Sequence, residues 1–316
     1  MSEKVTAVLL IALICFLIPV RMRFFSSSDK ILISVRSGDS ASAVAIRLKE
    51  NKLIYSKKLF LCLVKLTKAQ NKLKAGVYSF SEKDGMFKIL RNLRDGSGNF
   101  LRFIVPEGNN IAQTAEIISS TLNIDKKKFV KIAAERNLEG YLMPETYFVN
   151  LEMNEKQLIE MMYGEFNKKV TSDMYKRAEK INIPFKDIVI MASIIEREAV
   201  KPEEKSVIAA VFYNRFRKKM KLQSCATVLY AMGVNKVKLT LEDIKFDSPY
   251  NTYKHLGLPP APICSPGIES IKAALYPADT KNLFFVSDGN GRHLFAENFN
   301  GHKKNRQTVE KKQRAV

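Results

Sequence analysis

Residues 188–200 read IVIMASIIEREAV and set Glu196 in an otherwise apolar helical stretch. Its neighbours three and four positions away are Ala192, Ser193, Ala199 and Val200, and residues at those spacings share a helix face. A carboxyl on that face is partly desolvated unless the face opens onto water or a ligand. Desolvation raises a glutamate pKa and keeps a proton at hand near neutral pH, which suits a general acid. Glu198 lies about 200° further round the helix, near Arg197 and Lys201, and reads as solvated. The competing reading of Glu196 is a buried ion pair with an arginine such as Arg215. On residue types alone that is the commoner outcome, since most buried carboxylates are structural.

Two further clusters carry polar groups. Residues 222–227 read LQSCAT and supply Gln223, Ser224 and Thr227. Residues 248–253 read SPYNTY and supply Tyr250, Asn251 and Thr252, followed by Gly257-Leu258-Pro259-Pro260. Proline-stiffened loops bearing Asn, Thr, Tyr and Gln offer fixed hydrogen-bond groups and aromatic faces, as sugar recognition requires. Simple packing of Pro and Tyr against a core explains the same residues.

Several chemistries are absent. No GxxxxGK[ST] and no GxGxxG opens a helix, so a nucleotide site has no support. There is no HExxH and no GxSxG. The three histidines and the four scattered cysteines (Cys15, Cys62, Cys225, Cys264) lack metal-ligand spacing. No metal and no cofactor is expected. A Cys225–Cys264 bridge is conceivable, but unpaired cysteines packed as small apolar groups are the expectation.

The elements around these residues follow from periodicity. The chain has 316 residues, enough for roughly two domains, and an α+β fold is expected. Strands are predicted at 31–35, 76–80 and 101–105, with helices at 41–48, 57–68 and 87–93 between them. Ser37-Gly38-Asp39-Ser40 marks a turn and a helix N-cap. Helices follow at 111–121, 126–136, 155–170, 173–181, 185–200 and 203–219. Beyond Lys221 the chain is rich in proline and loops. A hairpin is predicted from 282–286 and 293–296 around Asp288-Gly289-Asn290-Gly291. The basic tail from about 303 is expected to fray.

Residues 5–20 form a run of 16 without a charge, VTAVLLIALICFLIPV, followed by Arg21 and Arg23. With Phe24 and Phe25 it approaches the roughly 17–25 residues a spanning helix needs. No A-x-A-like cleavage site follows, so an uncleaved signal anchor is expected. Charge counting leaves its orientation open. The domains expected are an anchor at 1–25, a small α+β unit at 26–103 and a larger mixed α/β domain at 104–316. Lys+Arg exceed Asp+Glu by 52 to 32, a net charge of +20. That excess attracts polyanions, but it is spread along the chain without a recognition motif, so nucleic acid is not an expected partner.

The sequence resembles the endolytic murein transglycosylases, the MltG or YceG-like proteins. The resemblance runs through VPEGNNIAQTAEII (105–118), LEGYLMPETYFV (138–149), IMASIIEREA (190–199), VFYNRF (211–216) and LQSCATVLYAMG (222–233). It continues through SPYNTYKHLGLPPAPICSPG (248–267) and ALYPADTKNLFFVSDGNGRHLF (274–295), in family order over about two thirds of the chain. Cys225-Ala226 stands where the family usually has Asp-Pro, Asn109-Asn110 where a bulky residue often follows Pro-Glu-Gly, and Ser265 where Asn or Thr is common.

The resemblance implies lytic cleavage of the β-1,4 bond between N-acetylmuramic acid and N-acetylglucosamine, with Glu196 aligned as the acid. It implies sugar-holding and charge-stabilising roles for Gln223, Ser224, Tyr250, Asn251 and Thr252, with Thr227 beside them, and makes Glu145 a second carboxyl that could line the cleft. It implies a LysM-like character for the small unit, tethering to the cytoplasmic membrane with the enzyme outside, and peptidoglycan synthases as candidate partners. A non-catalytic peptidoglycan-binding scaffold is the alternative, motivated by the Cys225-Ala226 departure.

Overall fold

The computed structural model describes residues 30–314 apart from 37, 97–99, 151–152, 235 and 237–238. The expected anchor and the linker at 26–29 lie outside the described residues. Among the described residues no helix is long and apolar enough to cross a membrane. The fold is α+β, and the chain divides into two compact units. One comprises the residues up to Arg102 with Tyr147–Glu152, the other Phe103–Thr146 with Met153–Val316.

The smaller unit holds most of a four-stranded sheet in the order β1-β2-β3-β4, made of β1 (Lys30–Val35), β2 (Gly76–Ser81), β3 (Phe100–Ile104) and β4 (Thr146–Asn150). β1 and β2 are antiparallel from Lys30 opposite Ser81 to Val35 opposite Gly76, and β3 joins β2 at Val77 opposite Phe100. Three helices belong to it: α1 (Ala41–Glu50), α2 (Lys57–Leu66) and α3 (Met86–Asp95). Ser40 caps α1 as expected, its Oγ accepting from Ala43 N–H at 3.2 Å. α3 stops at Gly96, whose φ of 74° suits a residue without a side chain. Alternate residues Ile33, Val35, Tyr78 and Phe80 face inward with Val44, Leu48, Phe60 and Leu93, the period-two pattern of a half-buried sheet. β4 was not anticipated. Its neighbour β3 lies some forty residues earlier, so no local pattern announces it.

The larger unit is mostly helical: α4 (Ile111–Thr121), α5 (Lys126–Glu135), α6 (Glu155–Lys169), α7 (Ser172–Lys180), α8 (Phe185–Glu198), α9 (Lys205–Arg217), α10 (Cys225–Met232), α11 (Ile268–Leu275) and α12 (Phe299–Arg314), with the hairpin β5 (Phe284–Ser287) and β6 (His293–Ala296). α8 is its axis. Ile188–Ile195 are buried without interruption, so this helix is apolar all round rather than amphipathic. Ile208, Phe212, Ile271, Leu275 and Phe166 pack around it, each contributing about 1.5–3 kcal/mol of burial. The single helix expected over 203–219 is instead a 3-10 turn at Pro202–Glu204 followed by α9.

The basic tail does not fray as expected. It forms α12, held by buried Val309, by Asn305 Nδ2 donating to Phe295 O at 3.1 Å, and by His302 stacked on Phe284 at 5.3 Å.

Candidate active site

The last turn of α8 carries Glu196 and Glu198. Two positions along a helix turn the side chain about 200°, so the two carboxyls enter different surroundings. α8 ends directly after Glu198, with Ala199 extended and Pro202 three residues on.

Glu196 is not in the apolar surrounding expected of it. Lys205 Nζ, at the start of α9, lies 3.1 and 3.2 Å from its two oxygens. Gly267 N–H donates to Oε2 at 2.9 Å and Ser270 Oγ at 2.7 Å. Both side chains of the pair are 7% exposed. Glu107, of the PEG loop, also hydrogen-bonds Glu196 and lies 3.7 Å from Lys205. Burial, then the neighbouring Glu196 charge, push the Glu107 carboxyl up. A Cβ on Gly267 would meet Glu107 Oε1 at 1.8 Å, so a larger residue there would displace the Glu107 side chain. Nor is Arg215 the partner. Its Nε donates to Leu283 O at 2.6 Å and its Nη1 to Leu222 O at 2.7 Å. With Tyr213 Oη on Ala274 O and Asn214 Nδ2 on Thr280 O, the YNRF motif ties α9 to the loops that follow.

Glu198, expected to be solvated, is half-buried, and burial holds its carboxyl above the ordinary range. Ser224 Oγ and Ala226 N–H donate to it, and His293 and Arg197 lie near; all four work against the shift. Both donors belong to the N-terminus of α10, whose dipole favours a developing negative charge. Ser224 sits at the N-cap but makes no side-chain cap bond, because its hydroxyl is spent on Glu198.

The predicted sugar-binding residues do come together, but mostly as a scaffold. Thr227 Oγ1 lies 2.9 Å from Thr252 Oγ1, and Thr252 Oγ1 accepts from Ser224 N–H at 3.0 Å. Gln223, at φ 53°, donates its N–H to Thr252 O at 3.1 Å. Asn251 is fully buried and donates to Ile244 O and Phe246 O. These bonds fix where Ser224 stands. Tyr250 remains partly exposed, its ring 5.0 Å from that of Tyr230. Glu145 is taken by Lys169, whose hydrogen bond holds the carboxyl below its usual range.

Sequence reasoning passed over two groups. His293 on β6 is pinned by Glu204, its N–H donating at 3.0 Å and its Nδ1 lying 2.7 Å from the carboxyl. Glu139, in the LEGYL segment, accepts from Ile111 N–H at 3.2 Å and from Tyr230 Oη at 3.3 Å. Burial pushes its pKa up to about 7. A carboxyl raised by folding adds stability below its unfolded value and loses it as pH rises through about 7. Glu139→Gln is therefore expected to stabilise the protein at pH 8 by about 1–3 kcal/mol and to bring no gain near pH 4.5, as read from urea midpoints.

A cavity of about 360 Å³ is lined by Asn110, Arg197, Ala226, Tyr230 and Ile263 among others, and Ala226 is also the residue whose N–H bonds Glu198. The loop over residues 257–267 is fixed to α8, Ile263 N–H donating to Ser193 Oγ at 3.0 Å and Cys264 Sγ to Ser193 O at 3.3 Å. Cys62, Cys225 and Cys264 are free, with Cys225 Sγ 3.1 Å from Tyr253 Oη. Among the described residues no group of His, Cys, Asp and Glu is arranged to hold a metal ion.

Residues 33–308 match the profile of the YceG-like family. The chain belongs to the YceG-like family. Among its YceG-like relatives is an endolytic murein transglycosylase of Bacillus subtilis (strain 168), 34% identical, the match covering 88% of this chain and 84% of that protein. An endolytic murein transglycosylase of Streptococcus pneumoniae serotype 2 is 26% identical over 89% of this chain, which spans only 58% of that longer protein. The crystal structure of a YceG-like protein from Listeria monocytogenes superposes with a TM-score of 0.62 at 31% identity, covering 88% of this chain and 99% of that one.

Proposed function

We propose that this chain is an endolytic murein transglycosylase that cleaves peptidoglycan glycan strands, with Glu198 rather than Glu196 as its acid. The activity rests on family membership and on relatives named for it. The assignment of the acid rests on one contrast. Glu196 is saturated by a buried lysine and two further donors, whereas Glu198 is lifted by burial and faces the donors of α10, one of which, Ala226, lines a cavity.

Ordinary glycosidases need two carboxyls. A lytic enzyme needs one. Glu198 donates its proton to the glycosidic oxygen of N-acetylglucosamine as the C1–O bond breaks. The resulting carboxylate takes the proton of the muramyl C6 hydroxyl, whose oxygen closes on C1 to give the 1,6-anhydro ring. The acid is regenerated and no water is consumed. Ser224 Oγ and Ala226 N–H stabilise the carboxylate between the two steps, and the scaffold of Thr227, Asn251 and Thr252 holds them still.

The test is product analysis. Isolated sacculi should release anhydro-muropeptides, and reducing ends would mean a hydrolase instead. Binding without turnover would favour the scaffold alternative. The alkaline limb of activity should follow loss of the Glu198 proton. Removing the Ser224 hydroxyl takes away a bond that favours the anion, so Ser224→Ala should shift that limb to higher pH in a pH–rate profile.

The apolar run at 5–20 supports a single-pass anchor in the cytoplasmic membrane, with the enzyme on its outer face and able to reach nascent strands and the synthases that make them. The smaller α+β unit fits a LysM-like glycan contact.

A further inference from the structure

Resting on that reading, we infer that the cavity lined by Arg197 and Ala226 is a subsite for the stem peptide of the muramyl residue, and that Arg197 reads a stem-peptide carboxylate. The placement comes from Ala226, whose N–H bonds the Glu198 carboxyl and whose side chain lines the cavity. A muramyl unit at the scissile bond carries its lactyl-linked peptide away from the same point. The wall offers Ala226, Leu229, Val234 and Ile263 as apolar contacts, suited to alanyl methyl groups.

Charge decides which part of the substrate belongs here. The glycan backbone is neutral, and the ionised groups of a peptidoglycan repeat are concentrated in its stem. Arg197 lines the cavity and is exposed, its Nη1 donating to Gly108 O at 3.3 Å. Among the described residues no carboxylate lies within ion-pair distance of it. The other cation of the wall, Lys126, is already paired with Glu116. Arg197 is left with guanidinium donors in a planar fork, the geometry that recognises a carboxylate through two parallel bonds.

The experiment compares kcat/KM for anhydro-end formation on three strands of one source: stems intact, stem carboxylates capped as methylamides, and stems removed by an amidase with the lactyl carboxylate so exposed also capped as a methylamide. The wild-type enzyme should prefer intact over capped or denuded strands by about tenfold, the size expected of a charged hydrogen bond. In Arg197→Gln that ratio should fall to about one, with Arg197→Lys between. Taking the ratio cancels any effect of the substitution on the neighbouring Glu198. A wild-type ratio near one overturns the inference while the transglycosylase reading stands, and it decides even if Arg197→Gln folds poorly. A preference retained in a folded Arg197→Gln overturns it as well. No anhydro product from any strand removes the transglycosylase reading and this inference together.

Discussion

Glu198→Gln is expected to lower release of anhydro-muropeptides by about 10²–10⁴-fold, the usual contribution of a positioned general acid, without loss of fold. Glutamine keeps a carbonyl oxygen for Ser224 Oγ and Ala226 N–H, so the N-terminus of α10 stays where it is. It also removes a buried ionisable group whose pKa is raised by desolvation, so the melting temperature should hold or rise. What is lost is the proton. Mass spectrometry of products from purified strands, with circular dichroism as the fold control, reads both outcomes. The reverse pattern, full turnover in Glu198→Gln and a folded, inactive Glu196→Gln, would return the acid to Glu196.

The two glutamates show how far a sequence carries such an argument. Helical geometry already put them on opposite faces, and the apolar run around them already marked α8 as a buried helix. Which face is sealed depends on residues that the local pattern does not contain. Lys205 comes nine positions later, and Gly267 and Ser270 more than seventy. The same limit applies to the short helices. α10 and α11 have eight residues each, too few for a sustained apolar period to mark them. At α10 the N-cap residue is Ser224, but it gives its hydroxyl to Glu198.

Elements with sustained periodicity, such as α4 over Ile111–Thr121, fall where the apolar spacing puts them. The polar loop motifs were legible as a group, because proline, Asn and Thr concentrate there. Their roles were not. Asn251 and Thr252 read as sugar ligands by type, yet both are buried and bonded within the protein.

The Glu196–Lys205 pair gives the second large effect, on stability. Both side chains are nearly sealed, and charges taken from water are tolerated only while each answers the other. Glu196→Ala leaves the Lys205 ammonium with Glu107 at 3.7 Å as its remaining carboxylate, and strips Gly267 N–H and Ser270 Oγ of their acceptor. Lys205→Met leaves two carboxyls, Glu196 and Glu107, hydrogen-bonded to each other without the cation between them. Each single change should cost about 3–5 kcal/mol, as breaking a buried pair from one side does. The double change Glu196→Ala with Lys205→Met should cost less than the sum, because neither member of the sealed pair is left charged without the other. Urea midpoints of the four proteins measure the coupling. A pair that anchors α8 to α9 and α11 gives a coupling of a few kcal/mol, whereas strict additivity would mean that Glu196 is not held by Lys205 in solution and is available for chemistry after all.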